Sequence, residues 1–293
     1  MAMNLMFDCS PATVGTFIKL AKKMAKKIVV TDCNEFCIAS KLANNFFVVP
    51  KASDDNYELF KVHRSILASQ KIDLVIPLLQ ETLLDWATFK FLEFWPVIIS
   101  PKETIKIFID KWETYNWFKE NNIPTPITEL NSGNWQGNKV KPRFGRGGNA
   151  TGNNTDLIYQ EYIEGQEYTT DVLCDKLGSP IYIVPRKRVQ VESGISFEGE
   201  VVLHNGIVEF VKQICSKIKF IGPINIQCIE NDKGIWFTEI NPRIGGGLPL
   251  SIEATENWFL LFPKILKDKK IKPKNIKYGT RMVRYYNEVY IGG

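Results

Sequence analysis

The sequence predicts a three-part protein of mixed α/β and α+β class: a parallel-sheet domain first, a small subdomain next, and an α+β region over the remainder. Three observations predict it. Apolar β-branched runs alternate with amphipathic stretches through the first hundred residues; a proline-bracketed break, IPTP at Ile123–Pro126, interrupts the chain; and the strands beyond it follow one another across short turns. The expected boundaries are 1–110 for the parallel domain, 111–165 for a linker helix with the small subdomain, and 166–293 for the α+β part.

Within the first domain, NLMF at Asn4–Phe7 reads as a strand, Pro11–Met24 as a helix and KIVVT at Lys27–Thr31 as a second strand. FFVVP at Phe46–Pro50, a helical stretch at Asn56–Ser69, IDLVIP at Ile72–Pro77 and VIIS at Val97–Ser100 continue the alternation. Right-handed crossovers then bring Asp8–Ser10, Asp32–Asn34 and Pro77–Glu81 to one sheet edge, where open α/β sheets bind ligands. Asp110–Asn121 is helical up to the IPTP break, because proline removes a donor and restrains its predecessor. After a turn-rich stretch at Asn131–Asn138, LIYQEYI and EYTTDVLCD read as an antiparallel pair about a tight turn at Glu164–Gly165. IYIVPRKRV, PINIQCIE and GIWFTEINP are further strands, with helices at Asn205–Lys217 and Ile252–Lys267.

A chain of 293 residues with 44% apolar and 24% charged residues can bury a large core, and no apolar run approaches the ~20 residues of a membrane helix. The N-terminus has no signal-peptide pattern, so a cytoplasmic location is expected. Six scattered cysteines without a C-x-x-C pair read as buried thiols, and two histidines exclude a His-rich metal site. Carboxylates, lysines and arginines are left to carry the chemistry. The net charge of +5 is modest, and its one basic run, Lys264–Lys277, reads as a solvated surface, so neither nucleic acid nor membrane is an expected partner.

Three constellations carry that chemistry. KPRFGRGGNATG at Lys141–Gly152 combines glycines that free backbone N–H groups for phosphate oxygens with the charges of Lys141, Arg143 and Arg146; by itself it reads equally as a basic surface loop. In QEYIEGQEYTTDVL at Gln160–Leu173, backbone groups near the turn can meet an adenine edge, and Glu167 can accept ribose hydroxyls; an exposed hairpin is the plain alternative. The third, Gly222–Pro249, places Gln227, Glu239 and Asn241 on two strands joined by a turn at Asn231–Gly234. Glu239 and Asn241 are two residues apart and share a face, and hard oxygen donors on one face suit Mg²⁺. Arg243 follows at the same spacing, suited to a transferring phosphoryl group.

In this order and spacing the three segments resemble the ATP-grasp superfamily, in particular its carbamoyl-phosphate-synthase and biotin-carboxylase branch, in the form of a stand-alone carboxylate-amine ligase. DKWETYNWFKENNIPTP at Asp110–Pro126 looks like that branch's helix before the grasp domain, and IDLVIPLLQETL like the end of its N-terminal domain. The resemblance implies an ATP-grasp fold with a pre-ATP-grasp domain, a lid subdomain and a metal-bearing C-terminal subdomain. ATP and Mg²⁺ (or Mn²⁺) are the implied cofactors. Lys111, Lys141, Arg146, Gly147 and Gly148 are implied as phosphate contacts, and Gln160, Glu161, Tyr162 and Ile163 as the adenine hinge. The resemblance makes Glu167 the ribose acceptor, Gln227, Glu239 and Asn241 the metal ligands, and Arg243 with Lys141 the catalytic groups. Only about eight residues, Gly152–Tyr159, connect the glycine loop to the hinge strand where the family usually has another strand and a helix, so the lid is expected to be reduced.

On the substrate side, alternation puts Arg186 and Arg188 on one strand face, where a guanidinium pair can clamp a carboxylate or phosphate, with a solvated basic strand the equal alternative; Arg281 and Arg284 are the second candidates. The expected activity is ADP-forming ligation of a small carboxylate to an amine, with a homodimer open as an assembly. A phosphotransferase of the same fold and a weakly active nucleotide sensor are the alternatives.

Overall fold

The computed structural model describes residues 3–53, 55–93, 95–131, 138–145, 156–192 and 195–291. Two compact units are present: residues 1–99 with 257–271 and 285–293, and residues 100–256 with 272–284.

The first unit holds a parallel four-stranded sheet in the order β3-β2-β1-β4, from β1 (Met3–Phe7), β2 (Ala25–Asp32), β3 (Asn45–Val48) and β4 (Leu74–Ile76). Helices α1 (Val14–Ala21), α2 (Ala39–Leu42), α3 (Tyr57–Gln70) and α4 (Leu83–Glu93) make the crossovers. The expected β-α-β alternation is present, except that Val97–Ser100 contributes only one parallel bridge, Val97 to Val75. The strand ends do share an edge. Asp32 accepts from the Ser10 N–H at 2.7 Å, while buried Asp8 accepts from the Leu78 N–H, the Thr82 hydroxyl and the Trp86 indole at 2.7–2.8 Å. The predicted helix at Ile252–Lys267 is broken: Asn257 caps a 3₁₀ turn at Trp258–Leu260, and Pro263 opens a separate short helix at Phe262–Leu266. Its aromatic residues explain why it returns to this unit, since Phe259 meets Phe7 edge-on at 6.0 Å.

The second unit begins with α5 (Lys102–Phe108), unpredicted, and α6 (Lys111–Glu120). Asp110 caps α6 by accepting from the Trp112 and Glu113 N–H groups. A small antiparallel sheet, β5-β7-β6, follows from β5 (Thr128–Glu129), β6 (Asn138–Pro142) and β7 (Leu157–Glu161). The main sheet has six antiparallel strands, β12-β11-β8-β9-β10-β13: β8 (Gln166–Cys174), β9 (Pro180–Glu192), β10 (Ile195–Val201), β11 (Gly222–Asn231), β12 (Gly234–Asn241) and β13 (Arg281–Val283).

Period-2 alternation divides the main sheet into two unlike faces. Val172, Cys174, Ile224, Ile226, Cys228, Phe237 and Ile240 face one way and pack with Phe108, Phe118 and the Ile207–Val211–Ile214 stripe of α7 (Asn205–Lys217). The His204 side chain caps α7 by accepting from the Ile207 N–H. Opposite lie the polar residues of the candidate site. The short helix α8 (Leu248–Ala254) follows β12.

One expectation is corrected here. LIYQEYI and EYTTDVLCD do not pair with each other: β7 lies between β5 and β6, whereas β8 lies between β11 and β9. Residues 162–165 carry the chain from one sheet to the other. Gly165 permits this because a Cβ there would overlap the backbone carbonyl of Glu230.

Candidate active site

The polar face of the main sheet is built in rows. Glu239 pairs with Gln227, Gln227 with Thr169 and Thr169 with Arg186, so four strands each contribute a polar side chain to one row. The next row runs Asn241, Asn225, Asp171. A bulge beside the Gln227–Cys228 step leaves Thr238 as the extra residue on β12, and this one-residue shift brings Glu239 and Asn241 opposite Gln227 and Asn225. Gln227, Glu239 and Asn241 therefore stand together on one face. Arg243 is drawn to the same place, its Nη2 donating to Asn241 Oδ1 at 3.1 Å and its Nη1 to the Ile244 carbonyl at 3.0 Å.

Lys141 approaches from the small sheet. Its Nζ donates to Gln160 Oε1 at 2.6 Å, and Gln160 Nε2 in turn donates to the Thr128 hydroxyl, so two strands fix the ammonium. Burial lowers the Lys141 pKa to about 8; Glu239 and Glu167 oppose that shift, while Lys139 and Lys111 add to it. The ammonium of one sheet is thus electrostatically coupled to carboxylates of the other. Lys111, the first residue of α6, donates from Nζ to the Gly145 carbonyl at 2.9 Å, while Arg143 forms a fork on the capping carboxylate Asp110 at 2.7–3.0 Å. These contacts tie the start of α6 to the entry of the glycine loop. Arg146, Gly147 and Gly148 lie outside the described residues.

Around the crossing between sheets, Glu161 accepts the Ile127 N–H on its carboxylate at 3.1 Å, and Tyr162 is exposed beside the Lys139 ammonium. Ile163 lies in the same short crossing, outside either sheet. Glu167, near the start of β8, receives Arg188 Nη1 at 3.0 Å.

Arg186 and Arg188 share a strand face as expected, but each meets a carboxylate of β8. The guanidinium of Arg186 is 1% exposed and donates from Nε to Asp171 Oδ2 at 2.8 Å. Asp171 also accepts Ser251 Oγ at 2.6 Å and Asn225 Nδ2 at 2.7 Å. This buried hub was missed by the sequence reading, although the alternation Glu167–Thr169–Asp171 along β8 carries the signal. It supports the loop after Arg243: a Cβ on Gly245 would come within 2.5 Å of Asn225 Nδ2, and one on Gly247 would overlap the Arg186 guanidinium. Arg284 donates from Nη2 to the Gly246 carbonyl at 2.7 Å and from Nε to that of Ser196 at 2.9 Å. Arg281 stands apart from this group, exposed and paired with Glu200 at 2.9 Å.

Residues 153–288 match the family model for ATP-grasp in the biosynthetic pathway with Ter operon, and residues 9–93 the PylC-like N-terminal domain. The tyramine–L-glutamate ligase of Methanocaldococcus jannaschii is 30% identical over 62% of this chain and 59% of its own length. The carbamoyl phosphate synthase large chain of Agathobacter rectalis is 28% identical over 34% of this chain, a match that spans only 10% of that longer protein. Among solved structures, the biotin carboxylase domain of Hydrogenobacter thermophilus 2-oxoglutarate carboxylase, a dimer in complex with MgADP, ADP and bicarbonate, superposes with a TM-score of 0.74 at 15% identity. That likeness covers 96% of this chain and 74% of the other. Fold and sequence point the same way: the chain has the ATP-grasp fold, its residues 153–288 are similar to an ATP-grasp family, and its residues 9–93 to a PylC-like N-terminal domain.

Proposed function

We propose that the chain is an ADP-forming ligase, which uses ATP and Mg²⁺ (or Mn²⁺) to activate a substrate carboxylate as an acyl phosphate and couples it to an amine. The observation that carries this reading is the shared polar face of Gln227, Glu239 and Asn241, with Arg243 on Asn241 and the Lys141 ammonium coupled to Glu239. The donor set, one carboxylate and two amide oxygens, fits a hard divalent cation. Bound by those three residues, the cation would offset the charge of the nucleotide phosphates.

In this reading 1–110 is the pre-ATP-grasp domain, 111–165 the linker helix with a reduced lid, and 166–293 the subdomain with the metal site. Lys111, Lys141, Arg146, Gly147 and Gly148 contact phosphates; Gln160 holds Lys141 in place; Glu161, Tyr162 and Ile163 border the base; and Glu167 accepts the ribose hydroxyls. The two-sheet crossing supports the assignment of the base, because residues 162–164 are outside both ladders. Arg243 steadies the charge that develops as the carboxylate oxygen attacks the terminal phosphorus and the bond to ADP breaks. The amine nitrogen then attacks the acyl carbon, loses a proton and expels phosphate, giving an amide. Arg186, Arg188 and Arg284 are assigned to the acid substrate, with Arg281 the outlying candidate. Small-molecule substrates, a homodimer and a cytoplasmic location go with the same reading.

The test is product stoichiometry across paired panels of acids and amines. One ADP and one phosphate per amide, formed only when both substrates are present, is the expected result. A phosphorylated acid accumulating without any amine requirement would instead identify a phosphotransferase, and nucleotide binding with no turnover across the panels a sensor.

A further inference from the structure

Two arginines converge on the glycine run Gly245–Gly247. Arg186 lies beneath it, 1% exposed, and its Nε is satisfied by Asp171 while its Nη1 has no hydrogen-bond partner among the described residues. Arg284 reaches the same run, donating to the Gly246 carbonyl, and its other hydrogen bond also goes to a backbone carbonyl. Two guanidinium groups thus meet consecutive glycines, whose Cα atoms are about 3.8 Å apart. Among the described residues the carboxylate paired with them is Asp171, and it is already shared with Ser251 and Asn225. The pKa of Arg284 is lowered by its own burial and then by the charge of Arg186. A buried guanidinium nitrogen left without an acceptor is costly, and an anion between the two arginines relieves both problems at once.

The position of this spot decides what the anion is. Asp171, the partner of Arg186, is two strands from Asn241 in one row, about 10 Å at the usual strand spacing. Asn241 and Arg243 are the groups assigned to the phosphates and the activated carboxylate, so the anion at Arg186 is a different one. We propose that the acid substrate is a dianion: one carboxylate is activated beside Arg243, and a second, unreacted carboxylate is bound by Arg186 Nη1 and Arg284. Gly247 permits this by keeping a side chain off the Arg186 guanidinium. The inference rests on the ligase reading for the role of the first carboxylate.

Calorimetry on the full chain with a non-hydrolysable ATP analogue and Mg²⁺ tests it directly, with glutarate and valerate as probes of equal chain length that differ by one carboxylate. The wild type is expected to bind glutarate at least tenfold more tightly than valerate, since loss of a hydrogen bond to a charged group costs about ten- to hundredfold. Arg284→Ala should abolish that preference while leaving the affinity for the ATP analogue unchanged, and Arg284→Lys should restore it only in part. Equal binding of the two probes by the wild type, binding of neither, or a preference that survives Arg284→Ala overturns the proposal. Succinate and adipate extend the series to set the separation between the two carboxylates. Because the readout is binding, its failure is distinguishable from failure of the ligase reading, which appears as absent ADP and phosphate release.

Discussion

Replacing Arg186 with Met should destabilise the second unit by about 3 kcal/mol. Arg186 and Asp171 are each 1% exposed, so the substitution leaves a carboxylate in the interior without its cation. Breaking a buried pair in this way costs roughly 3–5 kcal/mol, and the two neutral donors that remain, Ser251 Oγ and Asn225 Nδ2, place the expected value at the lower end. For a domain of this size, about 3 kcal/mol lowers the melting temperature by roughly 6–12 °C. Adding Asp171→Asn should recover most of the loss, because the stranded charge is gone while Asn keeps an acceptor for Ser251. Urea unfolding of the wild type, both single variants and the double variant gives the coupling energy. A loss below about 1 kcal/mol for Arg186→Met, or a double variant no better than the single, would refute the view that the pair is a dry, mutually dependent unit.

Other outcomes follow from the same structure. Lys141 has its pKa lowered to about 8, so its positive charge fades as pH rises through that value; affinity for an ATP analogue should fall over the same range, and Lys141→Arg should flatten the profile. The same shift makes the unfolded chain bind more protons than the folded one between about 8 and 10.5, so stability of the nucleotide-free protein should rise with pH across that window. Glu239→Gln should cut turnover by orders of magnitude and weaken Mn²⁺ binding measured by electron paramagnetic resonance, with near-normal values for either contradicting the metal assignment. Glu167→Ala should weaken ATP-analogue binding by about 1–3 kcal/mol, and an unchanged dissociation constant would remove Glu167 from the ribose role. Gly165→Ala should cost roughly 1–3 kcal/mol in urea unfolding, since the added methyl overlaps the Glu230 carbonyl; a neutral result would mean the crossing can shift.

Much of the second unit's site was legible because it depends on short-range pattern. Two-residue spacing puts Glu239 and Asn241 on one face, but Gln227 joins them only through the bulge at Thr238, because the register set by the turn at Asn231–Gly234 would otherwise pair Gln227 with Thr238. The parallel sheet of the first unit was legible for a similar reason, as its strands and crossover helices alternate along the chain. The crossing at 162–165 was not: a glycine between two strand-like runs has the same local signature whether the strands pair or enter different sheets. Only the long-range fit of Gly165 against Glu230 separates the two cases. Nothing within a few residues marks Arg186 as buried, so alternation alone leaves it as either a substrate clamp or a solvated strand face. Its acceptor lies fifteen positions earlier on β8, and the other donors to that acceptor come from β11 and α8. The break in the helix expected at Ile252–Lys267 was present in the sequence as Asn257 and Pro263, but apolar periodicity outweighed it.

The unlike faces of the main sheet impose different rules of inheritance. On the apolar face, Ile224, Ile226, Val211 and their neighbours can drift one at a time, because exchanging one aliphatic side chain for another of similar volume leaves a viable intermediate at each step. On the opposite face the route is closed to single steps: losing Arg186 strands Asp171, while losing Asp171 strands Arg186. Asn225, Ser251 and the glycines at 245 and 247 are shaped to both. Lineages of this fold that change substrate should therefore replace the group as a block, so that positions 171, 186, 225 and 251 travel together through descent while the helix-facing side of the same strands diverges freely.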